Sequence, residues 1–137
     1  MEDKRLTAVC EVCRRPVDPI EQGFMYVEYR AIRLHEQAWY QYNESTAARR
    51  RAEGPIVLER LSDMPSVSPA SWHVLHHECG GDEPANSPWY WFSLDKGFSY
   101  PDLLHWTAHL MESKSWLKDT NWDQVIRRAA HTGILTS

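Results

Sequence analysis

The sequence predicts an α+β fold: a small antiparallel sheet beside a knuckle of cysteine and histidine residues, followed by a C-terminal helical hairpin. Three observations predict it. Two short stretches far apart in the chain, Cys10-Glu-Val-Cys13 and His76-His77-Glu78-Cys79, carry the residue types and spacing of one zinc knuckle site. Three segments, near 24–30, 71–76 and 89–94, are rich in aromatic and branched residues, the composition of strands. Residues 99–137 instead place apolar side chains at helical spacing behind two helix-start signals.

The metal reading uses every cysteine in the chain. Cys10 and Cys13 are separated by two residues, the interval at which a tight turn lets both sulfurs reach one tetrahedral ion, and His76 and Cys79 repeat it. Three cysteines leave one thiol unpaired in an oxidising compartment, whereas three thiolates and one histidine leave none over and suit a reducing cytosol. One structural zinc ion is therefore favoured over a disulfide, over an iron–sulfur cluster, which takes more thiolates, and over ordinary thiols beside surface histidines. The fourth ligand could be His73, His76 or His77. In a strand over 71–76, Trp72, Val74 and His76 share one face while His73, Leu75 and His77 share the other. Continuing the apolar face of Trp72 and Val74 one knuckle from Cys79 favours His76, with His77 the alternative. Structural zinc binds with about 10–16 kcal/mol and domains are stable by roughly 5–15 kcal/mol, so folding should depend on the ion.

The 137 residues suit a single zinc-stabilised domain over 1–137, with a zinc-bearing α+β part over 1–98 and the helical hairpin over 99–137. Seven Trp, six Tyr and three Phe place aromatic side chains in the core and on any partner surface. A formal charge of −4 argues against broad nonspecific nucleic-acid binding. The N-terminal Met-Glu-Asp-Lys-Arg lacks the apolar run of a signal peptide and no stretch approaches a membrane span, so the expected location is cytoplasmic, with no membrane partner.

In chain order, residues 1–9 form a charged arm into the first knuckle, and Asp18-Pro19 and Gln22-Gly23 mark turns. The strand Phe24 to Arg30 is expected to pair with the strand bearing His76. From Arg33 to Glu53 the spacing of Leu34, Ala38, Tyr42, Ala47 and Ala48 predicts a helix stopped by Gly54-Pro55, which Asn43 to Thr46 could break in two. Arg49, Arg50 and Arg51 in its last turn suit a phosphate-binding patch or, more simply, cations facing the negative end of the helix dipole. Ile56 to Leu61 is ambiguous, Ser62 to Ser71 is a linker, and Gly80 to Pro88 is a polar loop. Trp89 to Leu94 is the strongest strand signal, ended by Lys96-Gly97.

Ser99 with Asp102 and Pro101, and then Thr120 with Asp123, resemble capping boxes. The first helix, near 101–117, puts Leu103, Leu104, Trp106, Thr107, Leu110, Met111 and Leu117 on one arc. The second, near 121–131, does so with Trp122, Val125, Ile126, Ala129 and Ala130 before Gly133.

Chemistry beyond the knuckle is sparse. Asp102, His105, His109 and Glu112 fall on the face opposite the first arc and could form a second metal site, since His105 and His109 are four apart. Trp106 stands where a metalloprotease carries its glutamate, and a solvated polar face explains the same pattern. His77, after a strand and beside a knuckle, suggests the general base of an HNH-like nuclease, but no Asn and second His follow on a helix. No glycine-rich phosphate loop, serine nucleophile motif or dinucleotide fingerprint occurs, so no small-molecule substrate is predicted. The preferred expectation is a noncatalytic interaction module, a regulator or adaptor binding another protein, with Trp116 either an interface anchor or packed against Trp122. The alternative is a nucleic-acid-binding regulator using Arg14, Arg15, Arg30, Arg33, Arg49, Arg50 and Arg51, and an HNH-like metal-dependent nuclease comes third.

The pattern Trp72-x-Val74-x-His76-x-x-Cys79, with Cys10-x-x-Cys13 and Leu103 to Leu110, resembles small zinc-knuckle proteins of actinobacteria and their phages or mobile elements, a group without a defined function. It is also similar to treble-clef zinc fingers, whose fold is a knuckle, a hairpin and a ligand-bearing turn entering a helix. Gly80, Gly81 and Pro84 depart from that pattern by disfavouring a long helix after Cys79.

Overall fold

The computed structural model describes residues 5–53, 67–80, 88–97 and 99–136. The ambiguous run 56–61, most of the linker before Ser71 and most of the loop after Gly80 lie outside the described residues. The elements are β1 (Thr7–Ala8), β2 (Gly23–Glu28), α1 (Tyr29–Glu53), β3 (His73–His76), α2 (His77–Gly80), β4 (Trp89–Ser93), α3 (Tyr100–Ser113), α4 (Trp122–Thr132) and β5 (Ile134–Leu135), with short 3₁₀ turns at Ile20–Gln22, Leu94–Gly97 and Ser115–Asp119. The α+β architecture follows the sequence expectation.

β2 is the centre of a three-stranded antiparallel sheet in the order β3-β2-β4. Its register sets Gly23 opposite His76, and Met25 opposite both Val74 and Phe92. One face of the sheet therefore carries Met25, Val27, Trp72, Val74, Tyr90 and Phe92, and the other carries Phe24, Tyr26, His73, Leu75, Trp89 and Trp91. From Gly23 to Val27 every residue of β2, the central strand, is buried. A side chain at Gly23 would collide with Val17, Leu94 and the Leu75 carbonyl, each within 3.0 Å of an added Cβ, so only glycine fits there.

The first face holds an aromatic core that locks the sheet to the C-terminal helices. Trp72, fully buried, meets Trp122 at 5.1 Å, Phe92 at 5.7 Å and Trp116 at 6.3 Å between ring centroids. Such large rings dominate burial energy. Their polar edges are satisfied: Trp72 Nε1 donates to Thr120 Oγ1 at 3.0 Å and Trp122 Nε1 donates to Thr107 Oγ1 at 3.1 Å. β1 pairs in parallel with β5, tying the arm before the first knuckle to the chain's end.

Several boundaries differ from the sequence expectation. Tyr29 and Arg30 begin α1 rather than end β2, since Glu28 and Trp89 form the last pair of the sheet. α1 is one helix through Asn43 to Thr46. Its buried stripe is Ile32, His35 and Thr46, with Trp39 and Tyr42 half-buried, while Leu34 is 51% exposed. α3 stops at Ser113 because Lys114 turns extended, and Leu117 sits in the following 3₁₀ turn. Ser99 caps α3 as expected, accepting from the Asp102 N–H at 3.2 Å. Asn121, not Thr120, holds the capping position of α4, but the Thr120 hydroxyl still accepts from the first α4 N–H, that of Trp122, at 3.3 Å, as well as from Trp72 Nε1. Gly133 ends α4 with φ 71°, the left-handed conformation that glycine adopts without strain. Of the apolar arcs, Leu103, Leu110, Trp122, Val125 and Ala129 are buried, whereas Leu104, Met111 and Ala130 are exposed.

Candidate metal centre

The first knuckle is a tight reversal. Val9 bridges Pro16, Cys10 N–H donates to the Arg15 carbonyl at 3.0 Å, and Arg14 takes a left-handed φ of 62° to close the turn. A hydrogen bond from Glu11 N–H to the Val74 carbonyl at 2.9 Å docks this turn against β3. The second half is the end of β3 running into the short turn α2, which lifts Cys79 back toward His76.

These two pieces bring Cys10, Cys13, His76 and Cys79 together with their ligand atoms all within 4.8 Å of one another. His76 Nδ1 lies 3.3 Å from Cys13 Sγ and 4.0 Å from Cys79 Sγ. A tetrahedral ion with metal–sulfur bonds of about 2.3 Å and metal–nitrogen bonds of about 2.0 Å sets its ligands roughly 3.6 Å apart, and the observed separations bracket that value. The group could hold one metal ion. The other two histidines are engaged differently: His73 Nδ1 is 2.9 Å from Glu11 Oε2 and its ring stacks on Tyr26, and the His77 ring stacks on Phe24 at 5.2 Å.

The electrostatics suit a cation. Burial pushes the Cys10 thiol up, but backbone N–H groups of Cys13, His76 and Val12 directed at its sulfur outweigh burial and bring it down to about 6. Burial and then the neighbouring Cys10 and Cys13 sulfurs push Cys79 up to about 11. Sulfurs crowded in this way repel as thiolates, and a shared cation removes the conflict.

The remaining sequence candidates are dispersed. Asp102, His105, His109 and Glu112 are all exposed along α3, with the His109 ring stacked on Trp106 at 4.6 Å, and the convergent group of ligand atoms among the described residues does not include them. Arg14 and Arg15 flank the knuckle, Arg30 and Arg33 lie in the first two turns of α1, and Arg49, Arg50 and Arg51 lie at its far end, about 30 Å away along the axis. Trp116 packs inward against Tyr90 and Tyr29, as well as Trp72. Sequence reasoning missed a buried polar pair, His35 with Asp119; the signal for His35 was its place with Ile32 and Trp39 on one helical stripe.

No protein-family model, no curated protein and no solved structure matches the chain. No helix among the described residues is long and apolar enough to cross a membrane.

Proposed function

We propose that the cluster holds one structural zinc ion through Cys10, Cys13, His76 and Cys79, and that the protein is a noncatalytic adaptor or regulator that binds another protein through the sheet face turned away from the C-terminal helices. The zinc assignment rests on the donor set, since three thiolates and one imidazole in a closed tetrahedron leave no position for a substrate. The kinship with zinc-knuckle proteins of actinobacteria and their mobile elements rests on the motif residues.

The observation that carries the binding role is a row of rings on that outer face. Tyr26 stacks on Trp89 at 4.3 Å, Phe24 meets Trp91 edge-on at 6.2 Å, and Trp91 stands 36% exposed beside half-buried Trp89. Aromatic side chains that are partly exposed on a rigid sheet are natural interface anchors. His77, the residue an HNH-like nuclease reading would use as base, has its ring laid on Phe24 within the same surface.

Parallel affinity captures with the wild type and with Trp91→Arg test the binding role. One partner held by the wild type and lost by the variant, and retained by Arg127→Glu on α4, is the expected result. Identical captures from all three proteins would remove the sheet face as the interface.

A further inference from the structure

We propose that the protein self-associates as a two-fold dimer through α3, whose outer face carries both an apolar knob and the groove that receives it. Leu104 and Met111 are 72% and 70% exposed, and Ala108 between them is also exposed. At 100° per residue the three lie within about 60° of helix circumference and form one stripe. Leu104 and Met111 belong to the apolar arc the sequence predicts, yet neither the sheet nor α4 covers them.

Met111 stands at the lip of a groove of about 580 Å³ whose apolar wall is Leu117, Trp122 and Ile126. Leu104 projects from the same stripe about 10 Å away along the axis. A two-fold axis beside Ala108 sets two copies of α3 antiparallel, places Leu104 of each copy over Met111 and the groove of the other, and lets the small Ala108 bring the axes close. That is the self-complementarity an isologous contact requires.

Charge favours a second copy over an unrelated helix. His105 and Glu112 are exposed on the same flank of the stripe, about 40–60° beyond Ala108. In an antiparallel pair equivalent flanks face each other, so His105 of one copy meets Glu112 of the other, twice by symmetry. The proposal is independent of the outer sheet face, which lies on the other side of the sheet from α3.

Sedimentation velocity of the metal-loaded full chain from about 1 µM to about 1 mM tests it, a range that covers weak contacts. The expected result is concentration-dependent conversion from the 16.0 kDa monomer to a species of twice that mass. Leu104→Glu should weaken dimerisation at least about tenfold, with its circular dichroism unchanged because the site is exposed. His105→Glu should weaken it by setting like charges face to face, and adding Glu112→Lys in the same chain should restore it. A monomer throughout the range would overturn the proposal. So would a dimer indifferent to Leu104→Glu, or a charge swap that fails to rescue.

Discussion

His35 Nδ1 lies 2.8 Å from Asp119 Oδ1, joining the first third of α1 to the turn before α4 inside the protein. Trp39 Nε1 donates to His35 Nε2 at 3.2 Å, so the imidazole is neutral there and carries its proton on Nδ1, toward the carboxylate. The pair is 8% and 5% exposed. Because α1 otherwise meets the rest through few apolar side chains, this polar contact sets where the long helix docks. His35→Ala leaves the buried carboxylate without its donor and should cost about 1.5–3 kcal/mol in denaturant unfolding of the metal-loaded protein. His35→Gln, which keeps a donor, should recover part of that loss. A change within experimental error for His35→Ala would show that the helix docks by its apolar stripe alone.

The metal centre separates its three histidines experimentally. His76→Ala removes the proposed imidazole ligand, whose Nδ1 lies 3.3 Å from the Cys13 sulfur, and should abolish stoichiometric zinc in native mass spectrometry. His73→Ala and His77→Ala should each retain one ion, because those rings hydrogen-bond Glu11 or stack on Phe24. Chelation should unfold the wild type, since about 10–16 kcal/mol of binding is comparable to or exceeds the stability of a domain this size. Loss of zinc in His77→Ala but not in His76→Ala would reverse the ligand assignment.

Acid should release the metal in two stages. At pH 7 Cys10, set at about 6, is already a thiolate, whereas Cys79, set at about 11, still holds a proton that the incoming ion must displace. Affinity therefore falls as pH falls, because protons compete for ligands, and it falls more steeply below about 6, where Cys10 also has to be deprotonated. Calorimetry in buffers of different ionisation enthalpy counts the protons released. More protons released per zinc at pH 5.5 than at pH 7.5 is expected, and equal counts would contradict the ordering of the two thiols.

Legibility of this chain followed the strength of local pattern. Cys10-x-x-Cys13 and His76-x-x-Cys79 were readable because ligand spacing is fixed by the geometry of one ion, and period-two alternation singled out His76 on the face of Trp72 and Val74. The strands were readable because aromatic runs have few other solutions. Two-residue strands such as β1 and β5 carry no periodicity, and their pairing depends on where α4 ends. The end of α3 has no glycine or proline to mark it, so the expected helix runs on to Leu117; the exposed Leu104 and Met111 lie within α3 and show that its apolar arc is wider than the face the core covers. The His35 and Asp119 pair lies 84 positions apart and required the tertiary fold.

The separation of the basic residues bears on the nucleic-acid alternative. Arg30 and Arg33 stand about 30 Å from Arg51 along α1, and three consecutive arginines on a helix fan around it, so the arginines of α1 form no single stripe that could track a phosphate backbone. Retention on duplex DNA at low salt should be weak, and Arg50→Gln with Arg51→Gln should leave it unchanged. A steep linear fall of log affinity with log salt, reduced by that double variant, would instead place the alternative ahead of protein binding.

Thr120 offers the sharpest check on how the sheet is held to the C-terminal helices. Its hydroxyl accepts from Trp72 Nε1 at 3.0 Å and donates to the Leu117 carbonyl at 2.8 Å, so one side chain relays between the innermost ring and the turn that carries Trp116. Thr120→Val keeps the volume and removes these bonds together with the one the hydroxyl accepts from the Trp122 N–H at 3.3 Å, leaving an indole N–H unsatisfied in a fully buried site, which should cost about 1–3 kcal/mol. Trp72→Phe removes the donor. If the relay is the reason for Thr120, the two substitutions together should cost less than their sum by about 0.5–3 kcal/mol, because the hydroxyl has no indole to serve once Trp72 is gone. Strict additivity in this double-mutant cycle would assign the cost of Thr120→Val to its bonds with the Trp122 N–H and the Leu117 carbonyl, with the indole bond incidental to packing.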